Sequence, residues 1–445
     1  MAEGTSETPG QPLEGGDEFY SSFPVVETTA ATPPPGRTPS HIVVWIGIVA
    51  LLAAGLVGAV VVASGSGGSG SPEAAVRKMM NAVADEDVLG TLDSLAPSER
   101  ESMVKGIQDL FDQGKRLNAL SPTADLNKIT GIDLKIDNLA LASETVGDNV
   151  AYVRLTGGTV TYDADLAKLP VGSLFADLIP KTDTTRHGSD PAVDPKDKTA
   201  GIATVKEGGH WYVSLWYSVA EQARRDAHES APAFGQGVQA RGADTPEAAV
   251  KTLLDSLTQL DVRRMIELTP PDEARALHDY APLFIDKAES DVADMKAANS
   301  FPRITIDNLN LRAETSGGVS VVRLSGFLMR ATLDGNPFSL EWDGSCVAVD
   351  ATNYHHKTCA QDLPKQLPIF SGATYDGGFV TVRRDGQWYV SPTRTMFSVI
   401  VGTLKQIDPQ GLKDLKDKGA AGFFDSLNGG LTGNSCVCTG LATNA

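Results

Sequence analysis

Ser71-Pro72-Glu73-Ala74-Ala75-Val76 returns as Thr245-Pro246-Glu247-Ala248-Ala249-Val250, and this repetition decides the fold. Two further stretches recur in the same order. Ile136-Asp137-Asn138-Leu139 returns as Ile306-Asp307-Asn308-Leu309, and Trp211-Tyr212-Val213-Ser214 as Trp388-Tyr389-Val390-Ser391. The offsets are 174, 170 and 177 residues. A period this long belongs to a whole domain rather than a solenoid unit, so the chain reads as a tandem pair of one globular fold.

Each copy opens with helix signals. Ser71 or Thr245 supplies the N-cap, Pro follows at the first helical position, and a Glu sits near the positive end of the dipole. Val76, Met79, Met80 and Val83 fall at i, i+3, i+4 and i+7, as do Val250, Leu253, Leu254 and Leu257, each set forming one apolar face. A second short helix is expected to open at Asp87-Val88 and Asp261-Val262. A third is expected from Glu99 to Leu117 and from Asp272 to Ala297.

The period then changes to two. Leu134, Ile136, Leu139 and Leu141 match Ile304, Ile306, Leu309 and Leu311. Gly147-Asp148 and Gly317-Gly318 mark turns, and Gly208-Gly209 and Asp385-Gly386 carry hairpin chemistry of type I′. Helices followed by strands give α+β with an antiparallel sheet in each copy. Alternation along a strand sends one ring of each Trp-Tyr pair inward and one outward. Residues 181–198 are polar, contain Pro191 and Pro195, and read as a surface loop. Helices from Thr395 to Gln406 and around Leu412, Leu415, Phe423 and Phe424 are expected to close the chain.

The 445 residues suffice for about two to three domains. A net charge of −18 argues against a nucleic-acid partner, because a basic face is hard to build from so few cations. Ile42 to Ala63 is a 22-residue run without a charge. At about 1.5 Å per residue it spans a hydrocarbon core of about 30 Å. Arg37, with His41, is the only basic character before the span, and none lies between Ala63 and Arg77. This bias puts the N-terminus in the cytoplasm and the bulk of the chain outside the cell membrane. Val61-Val62-Ala63 resembles a signal-peptide cleavage site, but a signal core is only about 7–15 residues long and follows a short basic segment. An uncleaved single-pass anchor is expected.

The expected organisation is a disordered cytoplasmic tail at 1–40, a transmembrane helix at 42–63 and a Gly/Ser linker at 64–70. The first α+β domain follows at 71–228, a linker at 229–244, the second α+β domain at 245–400, and a helical segment with a loose tail at 401–445. Thr28, Thr29 and Thr32 are candidate phosphorylation sites for a cytoplasmic kinase, against the alternative of a passive tail.

The cap-Pro-Glu-Ala-Ala-Val opening, the Asp-Val of the second helix, the alternating strands and the closing Trp-Tyr-Val-Ser resemble the nuclear-transport-factor-2-like domains. They are most similar to a branch of bacterial, mainly actinobacterial, lipoproteins and single-pass membrane proteins without an assigned activity. The resemblance covers about residues 71–228 and 245–400. It implies a cone in each copy, with three helices packed in the concavity of a curved antiparallel sheet. Enzymatic members of the wider fold place an Asp/His or Tyr/Asp pair in the pocket.

No duplicated histidine base is present. His210 becomes Gln387 in the second copy, and His278 aligns with Val104. The four cysteines are Cys346, Cys359, Cys436 and Cys438. Cys346 and Cys359 are symmetric about a turn near Thr352-Asn353 and can pair across a hairpin in an extracytoplasmic compartment. Zinc with His355 and His356 is disfavoured, since adjacent strand residues point to opposite faces. Two readings stand for Cys436-Val437-Cys438: thiols available for exchange or an intermolecular link, or a strained local disulfide. No cofactor or metal motif is read. The expected role is a non-catalytic one, binding an envelope component or a protein partner at the membrane, with oligomeric state open. The alternatives are a transmembrane sensor with a modified tail, and an enzyme with a carboxylate within reach of a His or Tyr in one pocket. Each half is expected to wrap its helices into its own sheet and to share no reactive constellation with the other.

Overall fold

The computed structural model describes residues 68–428, except 127, 193–200, 299–302, 334, 363, 365–366, 368 and 372–374. The tail at 1–40, the apolar run at 42–63 and Cys436 and Cys438 therefore lie outside the described residues. Among the described residues, no helix is long and apolar enough to cross a membrane.

The chain builds two α+β units in which helices pack against curved antiparallel sheets, one of them a half-barrel. The first repeat runs α1 (Pro72–Ala84), α2 (Val88–Asp93), α3 (Pro97–Arg116), β1 (Ile132–Gly147), β2 (Val150–Asp165), β3 (Thr185–Pro191), β4 (Gly201–Glu207), β5 (His210–Val213) and α4 (Leu215–Asp226). The second runs α5 (Pro246–Gln259), α6 (Val262–Glu267), α7 (Arg275–Tyr280), α8 (Ile285–Ala297), β6 (Ile304–Ser316), β7 (Val319–Leu333), β8 (Asn336–Trp342), β9 (Cys346–Ala351), β10 (Tyr354–Cys359), β11 (Phe379–Arg384), β12 (Gln387–Val390), α9 (Pro392–Lys405) and α10 (Pro409–Asn428).

The repeated motifs are caps and a bend. Ser71 Oγ accepts from the Ala74 N–H at 3.2 Å, and Thr245 Oγ1 from Ala248 at 3.1 Å. Asp87 and Asp261 cap the second helices in the same way. Asn138 and Asn308 adopt φ of 53° and 51°, a left-handed conformation that Asn tolerates better than most residues. Each sits in a β-bulge that shifts the register of β1 against β2, or of β6 against β7. A bulge bends and twists its strand, so the Ile-Asp-Asn-Leu motif is what curves each sheet. Beyond the bend the long second strand changes partner: β2 pairs with β4 through Val150–Arg154 and with β3 through Thr159–Asp165. β7 does the same with β11 and β8, and β9 and β10 extend that sheet.

Two expectations need correction. The polar stretch 181–198 contains a strand, β3, whose backbone pairs with β2 while most of its side chains face solvent, so it lacks an apolar alternation. The third helix of the second repeat is broken into α7, a 3-10 turn at Ala281–Leu283 and α8. Pro282 lies in that turn, and a proline removes a helical donor and clashes with the preceding turn. The aromatic rings behave differently in the two copies. Tyr212 is buried and Trp211 half-buried, but Trp388 and Tyr389 are both buried, because both faces of the second sheet are covered there.

The repeats also do not close separately. The helix after each closing strand reaches the other repeat: α9 packs on α3 as well as on its own β11, and α4 on α7 as well as on its own β4. Phe397 of α9 joins the first repeat's core with Met103, Ile107 and Phe111. Gly106 makes room for it, since a Cβ there would lie 2.1 Å from the Phe397 ring. Arg116 donates to the carbonyls of Leu404 and Ile407 at 2.7 and 3.0 Å, at the C-terminal end of α9, where orphan carbonyls favour a cation. Reciprocally, Ala276 and Tyr280 join Tyr152, Ala203, Val205 and Tyr212 on the outer face of the first sheet. The segment 229–244 is packed too, with Phe234 lying 6.3 Å from the Tyr217 ring and 5.9 Å from that of Tyr280.

Phe397→Ala should cost about 3–5 kcal/mol, the usual penalty for emptying a core aromatic site. Amide exchange should then accelerate in α3 of the first repeat as well as in α9. Loss of protection confined to the second repeat would contradict the helix exchange.

Candidate functional site

A buried glutamate stands at the same place in each repeat. Glu99 is 4 % exposed and Glu273 3 %, and they are 174 residues apart. Glu99 reaches from the start of α3 to the start of α4, accepting from the Ser214 hydroxyl, from Leu215 N–H at 2.7 Å and from Trp216 N–H at 3.4 Å. Glu273 accepts from the Ser391 hydroxyl at the start of α9. Proline at 392 removes the donor that Leu215 offers in the first repeat, and Glu273 Oε2 is left without a hydrogen bond. Arg394 lies 3.5 Å from it instead. Burial pushes Glu99 up to about 7 against the hydrogen bonds from Ser214, Leu215 and Trp216, and burial also raises Glu273. The two repeats therefore share a buried Glu–Ser contact at the start of the following helix. Its signal was the recurrence of Pro97-Ser98-Glu99 as Pro271-Asp272-Glu273.

Both glutamates line a cavity of about 400 Å³ between the repeats. Tyr217 and Asp279, which also line it, are hydrogen-bonded, and Asp279 accepts a second bond from Gly235 N–H at 3.1 Å. A parallel pair joins Tyr280 to Glu221 at 2.6 Å. Burial and the bond to its carboxylate raise the pKa of each tyrosine, so both phenols stay protonated. Burial opposes ionisation of Glu221, but hydrogen bonds from Arg224 and Tyr280 and the charges of Arg224 and Arg225 outweigh it. These are the carboxylate–tyrosine contacts that an enzyme of this fold would need. They lie between the repeats, where each ties α4 to α7.

The larger cavity is on the second sheet. A cleft of about 1180 Å³ opens between that sheet and α9. Phe327, Leu340, Trp342 and Val347 form its floor, while Phe370 and Val399 stand among its walls. Trp342 is cross-strand neighbour to both Phe327 and Val347, and its indole N–H is satisfied by Leu324 O at 3.2 Å, so the ring is fixed. Cys346 and Cys359 form a disulfide across the β9–β10 hairpin at the rim, in direct register. Among the described residues this hairpin has no counterpart in the first repeat.

The remaining candidates are accounted for locally. His278 is buried and hydrogen-bonds Val238 O at 2.7 Å and Thr269 Oγ1 at 3.0 Å. His355 pairs with Asp350 and His356 with Thr358, on an exposed strand. Among the described residues, no group of three or more His, Cys, Asp or Glu is arranged to hold a metal ion. Thr28, Thr29 and Thr32, like Cys436 and Cys438, lie outside the described residues. Searches of family models, curated proteins and solved structures found no match.

The raised glutamates make stability depend on pH. The folded state holds the Glu99 proton more tightly than the unfolded chain, whose value is near 4.5. This contribution is fully present below about 4.5 and lost as pH rises to about 7. The wild-type denaturation midpoint should therefore fall across that window, and Glu99→Gln should reduce the fall. An unchanged slope in the variant would assign the dependence elsewhere.

Proposed function

We propose that this chain is a non-catalytic binding module whose ligand site is the cleft of the second sheet. The observation that carries the reading is the cleft itself: about 1180 Å³, floored by aromatic and aliphatic side chains held in register across three strands. Ligand sites are usually concave and mostly apolar with a few polar groups, and ordinary ones measure about 300–1,000 Å³. In this reading each unit is a nuclear-transport-factor-2-like cone. The run 42–63 anchors the chain in the cell membrane, and the rim disulfide fits an extracytoplasmic position. The partner is an envelope component that offers an apolar surface to the cleft.

The test is saturable binding of a neutral apolar fluorophore, N-phenyl-1-naphthylamine, to the full chain. Trp342→Ala should weaken it about tenfold, or about 1.4 kcal/mol. Failure of the wild type to bind saturably, or an unchanged affinity in the variant, would defeat the reading.

A further inference from the structure

We propose that the cleft takes an acyl-chain amphiphile with one acidic headgroup, its tail over Phe327, Leu340 and Trp342 and its acid against Arg312. This inference rests on the cleft being a ligand site.

The cleft is polarised along β7. Arg323 is the direct cross-strand neighbour of Arg312 on β6, and both line the cleft. Like charges placed directly opposite one another on a sheet are destabilising. One of the two is compensated: Arg323 pairs with Glu314 at 2.8 Å and donates to Asp376 O at 2.9 Å. Asp376 is itself engaged by Lys405 at 2.7 Å. Arg312 has no ion pair or hydrogen bond among the described residues and stands over the cleft as uncompensated positive charge. The charged side chains lining the cleft, Arg312, Arg323, Glu314 and Asp376, balance in number, so what Arg312 offers is an unpaired cation rather than a net positive surface.

The apolar end lies further along the same strand. Phe327 is four residues beyond Arg323, about 13 Å at about 3.3 Å per residue. There it meets Trp342, and Leu340 lies beside Met329 one step on. A cation at one end and an aromatic floor at the other match a molecule with an acid at one end and hydrocarbon at the other. Guanidinium groups also suit carboxylate and phosphate oxygens geometrically.

The first repeat has a different arrangement. Ala142 occupies the position of Arg312, facing Arg154 across the strands. Glu144, the counterpart of Glu314, is engaged by Arg225 of α4 at 3.2 Å. Arg154, the counterpart of Arg323, is thereby left without an ion pair or hydrogen bond among the described residues, and Gly158 and Ala192 stand where the second repeat has Phe327 and Trp342.

The experiment compares 11-(dansylamino)undecanoic acid with its methyl ester, titrated into the full chain in zwitterionic nanodiscs with empty nanodiscs as blank. Wild type should bind the acid about tenfold more tightly than the ester. Arg312→Ala should bring the two affinities together while leaving the ester unchanged, and alanine is the residue the first repeat already accommodates. Equal affinity for acid and ester in wild type, or equal weakening of both in the variant, would overturn the assignment of Arg312. Displacement of the acid by acetate at the same concentration would overturn the amphiphile in favour of a bare anion site. Saturable binding of neither probe would instead remove the cleft as a ligand site.

Discussion

A buried glutamate stands against the start of the helix that follows each repeat's closing strand. A helix that begins in the interior presents N–H groups without intrahelical partners, and these must be met by something. In the first repeat Glu99 meets them together with the Ser214 cap, reaching across from α3. In the second, Ser391 Oγ accepts from the Arg394 N–H at 3.2 Å and donates to Glu273, which itself meets no backbone N–H because residue 392 is proline. Desolvation opposes this arrangement, as the upward shift of both carboxyls records.

Helix exchange makes the two sheets unequal. The outer face of the first sheet is sealed by α4, by Ala276 and Tyr280 from the second repeat, and by Phe234 of the connecting segment. The second sheet is wider, and the helix after its closing strand packs on the first repeat as well. Phe397 is seated against Gly106, and Arg116 holds the last carbonyls of α9. Pinned at both points to the first repeat, α9 covers β11 but leaves β8 to β10 open. The cleft is therefore a geometric consequence of where α9 is anchored. The disulfide keeps the last hairpin of that open region in register at its far edge.

Much of the fold was legible because local chemistry carried it. Side-chain caps at Ser71, Asp87, Thr245 and Asp261, the glycine turns and the alternating strands depend on neighbours within a few residues, and all are where the pattern places them. The pairing of Cys346 with Cys359 was legible from their symmetry about one turn. The strand β3 was not, because a solvent-facing edge strand needs only backbone pairing and carries no hydrophobic period. Helix exchange was not legible either: Phe397 gives the same apolar pattern whichever repeat it packs into. Glu99 and Glu273 lay in view at one offset, but an acidic residue near a helix start reads as a partner for the dipole. That each instead reaches another helix is a tertiary fact. The cleft was invisible for the same reason, since Arg312, Phe327 and Trp342 come together only through strand register.

The duplication itself separates residues that the fold requires from those it does not. Where both repeats keep the same group at equivalent places, as with Asn138 and Asn308 or Ser214 and Ser391, the structure gives that group a job in bending a strand or starting a helix. Where they differ on the same scaffold, the scaffold is shown to tolerate both. Ala142 faces Arg154 in a bent sheet that forms without a side-chain charge at that point. The equivalent Arg312 adds a second cation directly beside Arg323, which works against the sheet it stands in. Ala192 stands where Trp342 does, and among the described residues β9 and β10 have no equivalent in the first repeat. The second repeat thus departs from the common pattern in three features: the charge at one end of the cleft, the aromatic floor at the other, and the disulfide at its rim. All three converge on one cavity, and the fold as the first repeat builds it needs none of them.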